Sequence, residues 1–275
     1  MNDELLRKKA DYSKGKKEAA HRVLIELANL FEQYKGDMCV IGGWVPSLMI
    51  PNKDHIGSID VDILINHLSL QDEGYQNISR ILTNNGYQKH DKQFFTFVKT
   101  ITIDGIDYSV DVDILAGKYG GTDSKFSQHV QGIKALRATG GNFAFEVPLQ
   151  EIDMESQRPD GSIDFAKVSV VAVVPYFIMK VAALGRGKAK DAYDLYYLLK
   201  NYVGGIDALI LEFQPYKQKL IVKDMKNKLS EKFKTKNHSG VQDIINFMEL
   251  YNDEEIEMMR REIYERFTIF LKSIE

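Results

Sequence analysis

The stretch IDVDILI, residues 59–65, decides the fold because its first five positions alternate between apolar and acidic side chains. Successive side chains of a β-strand point to opposite faces of a sheet, so the pattern predicts a strand with Asp60 and Asp62 on one face. The rise of a strand separates these two residues by about 7 Å, which lets both carboxylates reach the same cation. The stretch therefore predicts a central strand and a place for metal chemistry.

A second stretch, IDYSVDVDIL at residues 106–115, repeats this alternation. The side chains predicted to face inward are Ile106, Tyr108, Val110, Val112 and Ile114. Those on the opposite face are Asp107, Ser109, Asp111 and Asp113. Crowded carboxylates cost energy unless a cation compensates them, and a divalent metal is the simplest compensator. A third carboxylate from this strand would complete a two-metal site for phosphoryl transfer, and alternation alone does not separate Asp111 from Asp113.

A glycine pair lies upstream of the first acidic strand. Residues 37–41 (DMCVI) form an apolar run typical of a strand, which stops at Gly42 and Gly43. Residues 44–50 then predict a helix that Pro51 ends. A glycine-lined helix start presents bare backbone N–H groups that can receive phosphate oxygens. A phosphate cradle near a metal site indicates a nucleoside triphosphate as the ligand.

The remaining periodicity predicts an α+β fold, in which a mixed sheet flanked by helices precedes a helical C-terminal domain. Further helices are predicted at 17–35, 71–84, 176–184, 189–201 and within 206–275. Further strands are predicted at 94–103, 143–147 and 167–174. The glycine-rich region 117–142 is expected to be irregular and mobile, with one short helix near 126–136. We divide the chain into an N-terminal helical segment (1–36), a sheet domain (37–174) and a helical domain (175–275).

The composition is that of an ordinary soluble globular protein, with 275 residues, 44% hydrophobic and 27% charged, and a net charge of -3. This balance argues against a protein that coats nucleic acid or membrane by bulk positive charge, but not against a local basic surface. Residues 217–236 contain eight lysines against two acidic residues. That segment fits either a solvated helix face or a contact surface for a phosphate backbone.

Other classes of protein are disfavoured by what the sequence lacks. The single cysteine, Cys39, excludes an internal disulfide, and its apolar neighbours predict a buried thiol in a reducing compartment. There is no signal-peptide pattern and no run of about 18 apolar residues, which predicts a cytoplasmic protein with no membrane partner. The histidines lack zinc-ligand spacing, and neither a nucleophile elbow nor a Walker loop is present.

Three short strings resemble the DNA polymerase β-type nucleotidyltransferase superfamily, whose pattern is a glycine pair, a spacer, an Asp-x-Asp strand and a later single Asp. They are VIGGW (40–44), SIDVDI (58–63) and VDIL (112–115). Residues 175–199 (PYFIMKVAALGRGKAKDAYDLYYLL) also resemble the AbiEii-type branch, in which a lysine-bearing helix precedes a basic turn and a Lys-Asp-x-x-Asp-Leu helix. The resemblance implies the polymerase β-type fold, with the nucleotidyltransferase domain at 37–174.

The resemblance assigns metal ligands. It implies that Asp60 and Asp62 bind Mg²⁺ or Mn²⁺ and act in catalysis. It implies Asp113 as the third metal-binding and catalytic carboxylate, which could also assist deprotonation of the attacking hydroxyl. Asp111 remains the alternative for that third position, because both residues face the same way.

The resemblance also implies nucleotide-binding residues, namely Gly42, Gly43, Ser58, Lys180 and Asp194. The glycines line the phosphate turn, and Lys180 meets the triphosphate as a point charge. Lys180 and Asp191 are implied as catalytic residues as well. The chain departs from the pattern in its 16-residue spacer, 44–59, and in Ile56, which stands where AbiEii-type members commonly carry arginine. The spacer is interpreted as a loop in which Lys53 or His55 replaces that arginine.

The activity that the resemblance implies is transfer of a nucleoside monophosphate from an NTP to a hydroxyl, with release of pyrophosphate. The branch implies a toxin of a toxin–antitoxin or phage-defence pair, with a cognate antitoxin protein as partner and the 3′ end of tRNA as acceptor. Two alternatives stay open. One is transfer to a small molecule such as an aminoglycoside, and the other is a non-catalytic module that senses nucleotide or binds a partner.

Overall fold

A computed structural model of the chain describes residues 7–51, 53–70, 78–117, 127–130 and 133–274. The helices of these ranges are α1 (Lys14–Leu30), α2 (Val45–Met49), α3 (Ile78–Asn84), α4 (Gly141–Ala144), α5 (Val173–Ala183), α6 (Ala189–Asn201), α7 (Gly205–Phe213), α8 (Leu220–Lys232), α9 (Ser239–Met248) and α10 (Asp253–Ser273). Their strands are β1 (Met38–Ile41), β2 (Val61–Ile65), β3 (Gln88–Lys89), β4 (Thr96–Ile103), β5 (Ile106–Gly117), β6 (Ser127–Val130), β7 (Ile133–Ala138), β8 (Gln150–Gln157) and β9 (Ile163–Val170). The predicted α+β class is confirmed.

The strands form one mixed sheet in the order β3-β4-β5-β2-β1-β9-β8, and β7 pairs with β5 while β6 pairs with β7. β2 lies between antiparallel β1 and parallel β5. β5 is long enough to pair with β4 up to Asp113 and with β7 from Leu115 onward. The two acidic stretches of the sequence are therefore neighbouring parallel strands at the middle of the sheet.

Burial of apolar side chains explains why β2 and β5 form this centre. Val61, Leu64 and Ile65 of β2 are completely buried, as are Val112 and Ile114 of β5. Each such side chain contributes about 1.5–3 kcal/mol by leaving water. α1 packs against β5, β8 and β9. The residues that this helix buries include Ala19, Ala20, Val23, Leu24 and Leu27.

The chain divides into two compact units. The sheet unit consists of Tyr12–Leu48 and Gly57–Pro175, so it contains α1 together with all nine described strands. The helical unit consists of Met1–Asp11, Met49–Ile56 and Tyr176–Glu275. Half of the long spacer after the glycine pair thus belongs to the helical unit. The predicted division at 36 and 174 stays a prediction.

Aromatic side chains form the core of the helical unit. The ring of Phe177 lies 5.4 Å from Phe213 and 5.3 Å from Phe270, between ring centroids. Phe233 and Phe267 stack at 3.6 Å. α6 covers the residues predicted for it, and α7 to α10 confirm the helical character of 206–275. No helix in the described part of the chain has the length and apolar character needed to cross a bilayer.

Several local predictions are wrong. The helix expected near 126–136 is replaced by the antiparallel strands β6 and β7, because β7 gains backbone hydrogen bonds from β5 that local propensity does not report. The strand expected at 143–147 is absent among the described residues: Phe143 belongs to α4, and the next strand is β8. Parts of the predicted helix (71–77) and of the predicted irregular region (118–126, 131–132) lie outside the described residues.

The inward-facing prediction for β5 is wrong at one end of the strand. Ile106 is 57% exposed, whereas Val110, Val112 and Ile114 are buried. Ile106 is the first residue of β5 and pairs with Ile103 beside the turn of the β4–β5 hairpin. The buried thiol predicted for Cys39 is confirmed, and burial raises the pKa of that thiol.

Candidate functional site

The sheet unit brings two of the predicted carboxylates side by side. Asp62 of β2 is in register with Asp113 of β5, and neighbouring strands lie about 4.8 Å apart. Residues paired in register on parallel strands project from the same face of the sheet, so their side chains are neighbours. Asp111 lies on that face two residues earlier along β5, opposite Val98 of β4. Asp113 is thus the register neighbour of Asp62, and the choice between Asp113 and Asp111 as third carboxylate stays a prediction.

Asp113 is held in place by a buried threonine. The hydroxyl of Thr96 donates to Asp113 Oδ1 at 2.5 Å, and Thr96 is only 1% exposed. The two residues are also in register on β4 and β5. Thr96 therefore fixes one oxygen of this carboxylate, while Asp113 itself stays partly accessible.

Asp60 has a different support, because it precedes the first residue of β2. The buried indole of Trp44 donates through Nε1 to the backbone carbonyl of Asp60 at 2.9 Å. The buried hydroxyl of Ser58 donates to Asp60 Oδ1. Trp44 and Ser58 thus both bind the residue that precedes β2.

The glycine turn packs directly against the carboxylate of Asp62. Gly42 has a φ of +72°, and a Cβ placed on it would lie 1.8 Å from Asp62 Oδ2. Register places the preceding residue, Ile41, opposite Asp62 on the antiparallel pair β1–β2. Gly43 follows inside the same short turn, Gly42–Trp44, and is buried. A bare backbone at position 42 is therefore a steric requirement of the carboxylate site.

We expect Gly42→Ala to lower the free energy of unfolding by about 2–4 kcal/mol, since it adds overlap with Asp62 to the strain of a left-handed backbone. Gly105→Ala is the matched control, because Gly105 has a φ of +77° with nothing within 4 Å of its added Cβ. In that variant the free energy of unfolding should fall by only about 1–2 kcal/mol. Urea unfolding measures both, and equal losses would contradict the close approach to Asp62.

The side chains of Asp60, Asp62 and Asp113 are of the right chemical type for a divalent cation, because carboxylate oxygens are the ligands that Mg²⁺ and Mn²⁺ prefer. Within the described residues, however, no group of three or more His, Cys, Asp and Glu side chains is arranged to hold a metal ion. Two carboxylates, Asp62 and Asp113, are neighbours, and an oxygen of Asp60 is engaged by Ser58. These side chains, as placed, do not form a metal site.

The helical unit holds a second group of predicted site residues, which we call the buried ion cluster: His55, Lys180, Lys190, Asp191 and Asp194. Lys180 Nζ lies 2.7 Å from Asp191 Oδ1 and 2.8 Å from Asp194 Oδ2. Lys190 Nζ lies 2.8 Å from Asp194 Oδ1, and His55 Nε2 lies 3.0 Å from the same oxygen. The positive and negative charges balance, so the cluster neutralises Lys180 internally.

The pKa values in this cluster follow from that balance. Burial alone would lower the pKa of Lys180, but Asp191 and Asp194 raise it well above its ordinary value. Burial alone would raise the pKa of Asp194, but Lys180 and Lys190 hold it far below its ordinary value. Burial lowers the pKa of His55, although Asp194 opposes this effect. Lys180 and Asp194 therefore stay charged at neutral pH, and His55 stays neutral.

The spacer histidine is part of this cluster. The side chain of His55 is completely buried, with its ring 4.5 Å from Tyr197 and 5.7 Å from Tyr193. It therefore contacts Asp194 and two aromatic rings of α6 instead of extending into solvent. One atom of the cluster lacks a hydrogen bond, namely Asp191 Oδ2, which lies 3.7 Å from the exposed Arg186.

The chain matches no protein-family model and no curated protein sequence. The solved structures to which it is similar include the following two. JHP933 from Helicobacter pylori is 12% identical with a TM-score of 0.48, and the match covers 95% of this chain and 94% of that one. An antigenic nucleotidyltransferase-like protein from Paracoccidioides brasiliensis is 14% identical with a TM-score of 0.39, covering 78% of this chain and 88% of that one. At these values no residue role passes from either protein to this chain.

Sequence reasoning missed two residues of the carboxylate site, Thr96 and Trp44. Thr96 contacts Asp113 through pairing between β4 and β5, which no pattern within one strand reports. Trp44 had a signal, because it directly follows the glycine pair and is the single tryptophan of the chain. A buried indole N–H generally needs an acceptor, so a nearby backbone carbonyl could have been expected.

Proposed function

We propose that the protein is a divalent-metal-dependent nucleotidyltransferase that transfers a nucleoside monophosphate from an NTP to a hydroxyl acceptor and releases pyrophosphate. The observation that carries this proposal is the register of Asp62 with Asp113, next to a glycine turn that leaves no room for a side chain against Asp62. Two adjacent carboxylates and a bare backbone are the parts that metal-assisted phosphoryl transfer needs. The superfamily resemblance of the sequence points to the same reaction.

In this proposal each residue has a limited task. Asp60, Asp62 and Asp113 would hold Mg²⁺ or Mn²⁺, which when bound would lower the pKa of the acceptor hydroxyl and neutralise phosphate charge. The backbone of Gly42 and Gly43 receives phosphate oxygens. The hydroxyl oxygen bonds to the α-phosphorus, the bond between that phosphorus and the bridging oxygen breaks, and pyrophosphate leaves. The hydroxyl proton goes to Asp113 or to water.

The acceptor that we propose is an RNA 3′ end, such as that of tRNA, and a toxin role with an antitoxin partner follows from the AbiEii-type resemblance. Charge in the helical unit supports a polyanionic acceptor. Five lysines at or near α8 are exposed, namely Lys219, Lys223, Lys228, Lys234 and Lys236. Exposed lysines contact phosphates as point charges, independently of base sequence. Lys236 is partly neutralised by its ion pair with Glu257.

A second candidate function is a non-catalytic module that binds nucleotide on the same fold. One observation favours it: the described carboxylates are not arranged to hold a metal. Such a module would bind an NTP without transferring any part of it.

The test is label transfer from each α-³²P-labelled NTP to total tRNA, with Mg²⁺ or Mn²⁺. We expect transfer that EDTA and Asp62→Asn abolish. Asp107→Asn is the control, because Asp107 lies on the neighbouring strand, β5, near its exposed start, and accepts a hydrogen bond from Thr102. This control should retain the activity of the unmodified protein. Metal-dependent NTP binding without transfer to any RNA would favour the second candidate, and no binding at all would overturn both.

A further inference from the structure

Strand β8 forms an edge of the sheet. In the described part of the chain it pairs with β9 alone, and all eight of its residues do so in unbroken register, from Gln150 with Val170 to Gln157 with Ile163. Proteins usually protect such an edge with a very short strand, a proline, a lysine or a bulge. β8, which is described throughout, has none of these. Its outer backbone can therefore receive a further strand.

The hydrogen bonds of the β8–β9 hairpin show which backbone groups face outward. Directly after β8, Arg158 donates its N–H to the carbonyl of Ser162 at 2.7 Å. Along an antiparallel pair, residues that exchange backbone hydrogen bonds alternate with residues that do not, so Ser156 and every second residue before it bond to β9. In agreement, the N–H of Phe165 donates to Asp164 Oδ1 instead of to β8. The residues of β8 that direct their N–H and C=O groups away from β9 are the outer residues, Glu151, Asp153 and Glu155.

The outer residues of β8 all carry carboxylates, and all three are exposed. Two of them have a lysine nearby: Lys35 Nζ lies 2.9 Å from Glu151 Oε1, and Lys167 Nζ lies 3.8 Å from Asp153 Oδ1. Water and salt screen exposed pairs of this kind, so the lysines compensate the carboxylates only weakly. Residues 146–167 as a whole contain six acidic residues against two basic ones. The open edge therefore presents negative charge beside its hydrogen-bonding groups.

This charge selects among the strands that could join the edge. A second copy of β8 would place carboxylates opposite carboxylates, and like charges directly opposite each other destabilise a strand pair. A strand with arginine or lysine at alternate positions would place each cation opposite a carboxylate. At Glu155 arginine fits better than lysine, because the register partner Phe165 is 66% exposed. A guanidinium can bind a carboxylate and also stack on an aromatic ring.

We propose that β8 binds an extended, arginine-rich segment of a partner polypeptide, which adds to the sheet as an antiparallel strand. The arginines of that segment lie opposite the outer residues of β8 and exchange backbone hydrogen bonds with them. The residues between the arginines are apolar, because they lie on the face of β8 that packs against α1, where Met154 is buried. The proposal does not depend on the nucleotidyltransferase reaction, since no residue of β8 has a part in it.

The probe is a fluorescein-labelled octapeptide of alternating arginine and valine, whose binding to the full chain is measured by fluorescence anisotropy at low salt. We expect saturable binding, and at least about tenfold weaker binding when glutamate replaces arginine, because each charge pair then becomes repulsive. N-methylation of the arginine backbone nitrogens, which point at β8, should abolish binding. N-methylation of the valine nitrogens, which point away from β8, should leave binding intact. Equal effects of the two methylation patterns would overturn the proposal.

Single substitutions in the protein test the charge and the ring. Glu155→Gln should weaken binding of the arginine peptide by about threefold or more. Phe165→Ala, at a side chain that is already exposed, should also weaken it. Asp91→Asn is the matched control, because Asp91 is exposed and lies between β3 and β4, at the other end of the strand order. This control should bind the peptide like the natural protein. Natural affinity in Glu155→Gln would contradict the proposed charge pairing.

Amide hydrogen exchange, followed by NMR, locates the contact. In the free protein the amides of Met154 and Ser156 should be protected by β9, whereas those of Asp153 and Glu155 should exchange quickly. At saturation the arginine peptide should slow exchange at Asp153 and Glu155 by about tenfold or more. Binding without this protection would overturn the proposal. So would protection of these two amides in the free protein that increases with protein concentration, which is the result expected if a second copy occupies the edge.

Discussion

Replacing Lys180 by methionine is expected to lower the free energy of unfolding by about 3–5 kcal/mol. The ammonium lies between Asp191 and Asp194 at 2.7 and 2.8 Å, and Lys180 and Asp191 are nearly inaccessible while Asp194 is wholly so. Methionine leaves two buried carboxylates with one buried lysine, so a negative charge in the interior loses its compensation. Urea unfolding followed by circular dichroism measures the loss.

Lys200→Met is the matched control for this prediction. Lys200 lies at the end of α6 and pairs with Glu262 at 3.0 Å, but both side chains are more than 30% exposed. Exposed ion pairs contribute about 0.2–1 kcal/mol, because water and salt screen them. Similar losses in the two variants would show that the buried ion cluster has no special role in stability.

The pH dependence of the Lys180→Met effect follows from the raised pKa of Lys180. A group with a raised folded-state pKa stabilises the fold fully below its unfolded pKa, about 10.4 for lysine, and this contribution is lost as pH rises through the folded value. The difference between the natural protein and the variant should therefore be constant near neutral pH and shrink only above about pH 10.4. A difference that shrinks already between about pH 7 and pH 9 would contradict the assignment.

The sequence predicted those features that depend on local periodicity. Alternation in 59–65 and 106–115 predicted β2 with Asp62 and β5 with Asp111 and Asp113, but it wrongly placed Asp60 inside a strand, since β2 begins at Val61. The apolar run before Gly42 predicted β1. These strands are also buried, so hydrophobic pattern and tertiary packing favour the same structure. The error at 126–136 arose where β7 depends on pairing with β5, a contact between residues about 20 positions apart.

In the candidate site, too, the sequence predicted residue types and spacing but not the contacts that depend on the fold. Lys180, Asp191 and Asp194 were named from a motif, and the structure does bring them together. The sequence could not predict that the charges of these residues balance. That balance depends on where α5 and α6 place the side chains, and on the burial of Lys190 and His55. A motif gives residue types and spacing, whereas charge balance requires the distances between side chains.

The choice between Asp113 and Asp111 as third carboxylate gives the other large effect. We expect Asp113→Asn to reduce nucleotidyl transfer by about 10²–10³-fold, the loss typical of a group that stabilises developing charge. Asp113 is in register with Asp62, so its carboxylate is the neighbour of a proposed metal ligand. Asparagine keeps the shape and can still accept the hydrogen bond from Thr96, while it removes the negative charge.

Asp111→Asn is the comparison that makes this prediction specific, since it removes the same charge from the same face two residues away. Its register partner on β4 is Val98, and β2 begins only at Val61, opposite Val112. We therefore expect at most about a tenfold loss for Asp111→Asn, because Asp111 lies two residues along β5 from the register partner of Asp62. Thermal midpoints should stay near that of the natural protein in both variants, since each removes one charge from a group of like charges. A larger loss of activity in Asp111→Asn than in Asp113→Asn would make Asp111 the third carboxylate and would contradict the choice that rests on register with Asp62.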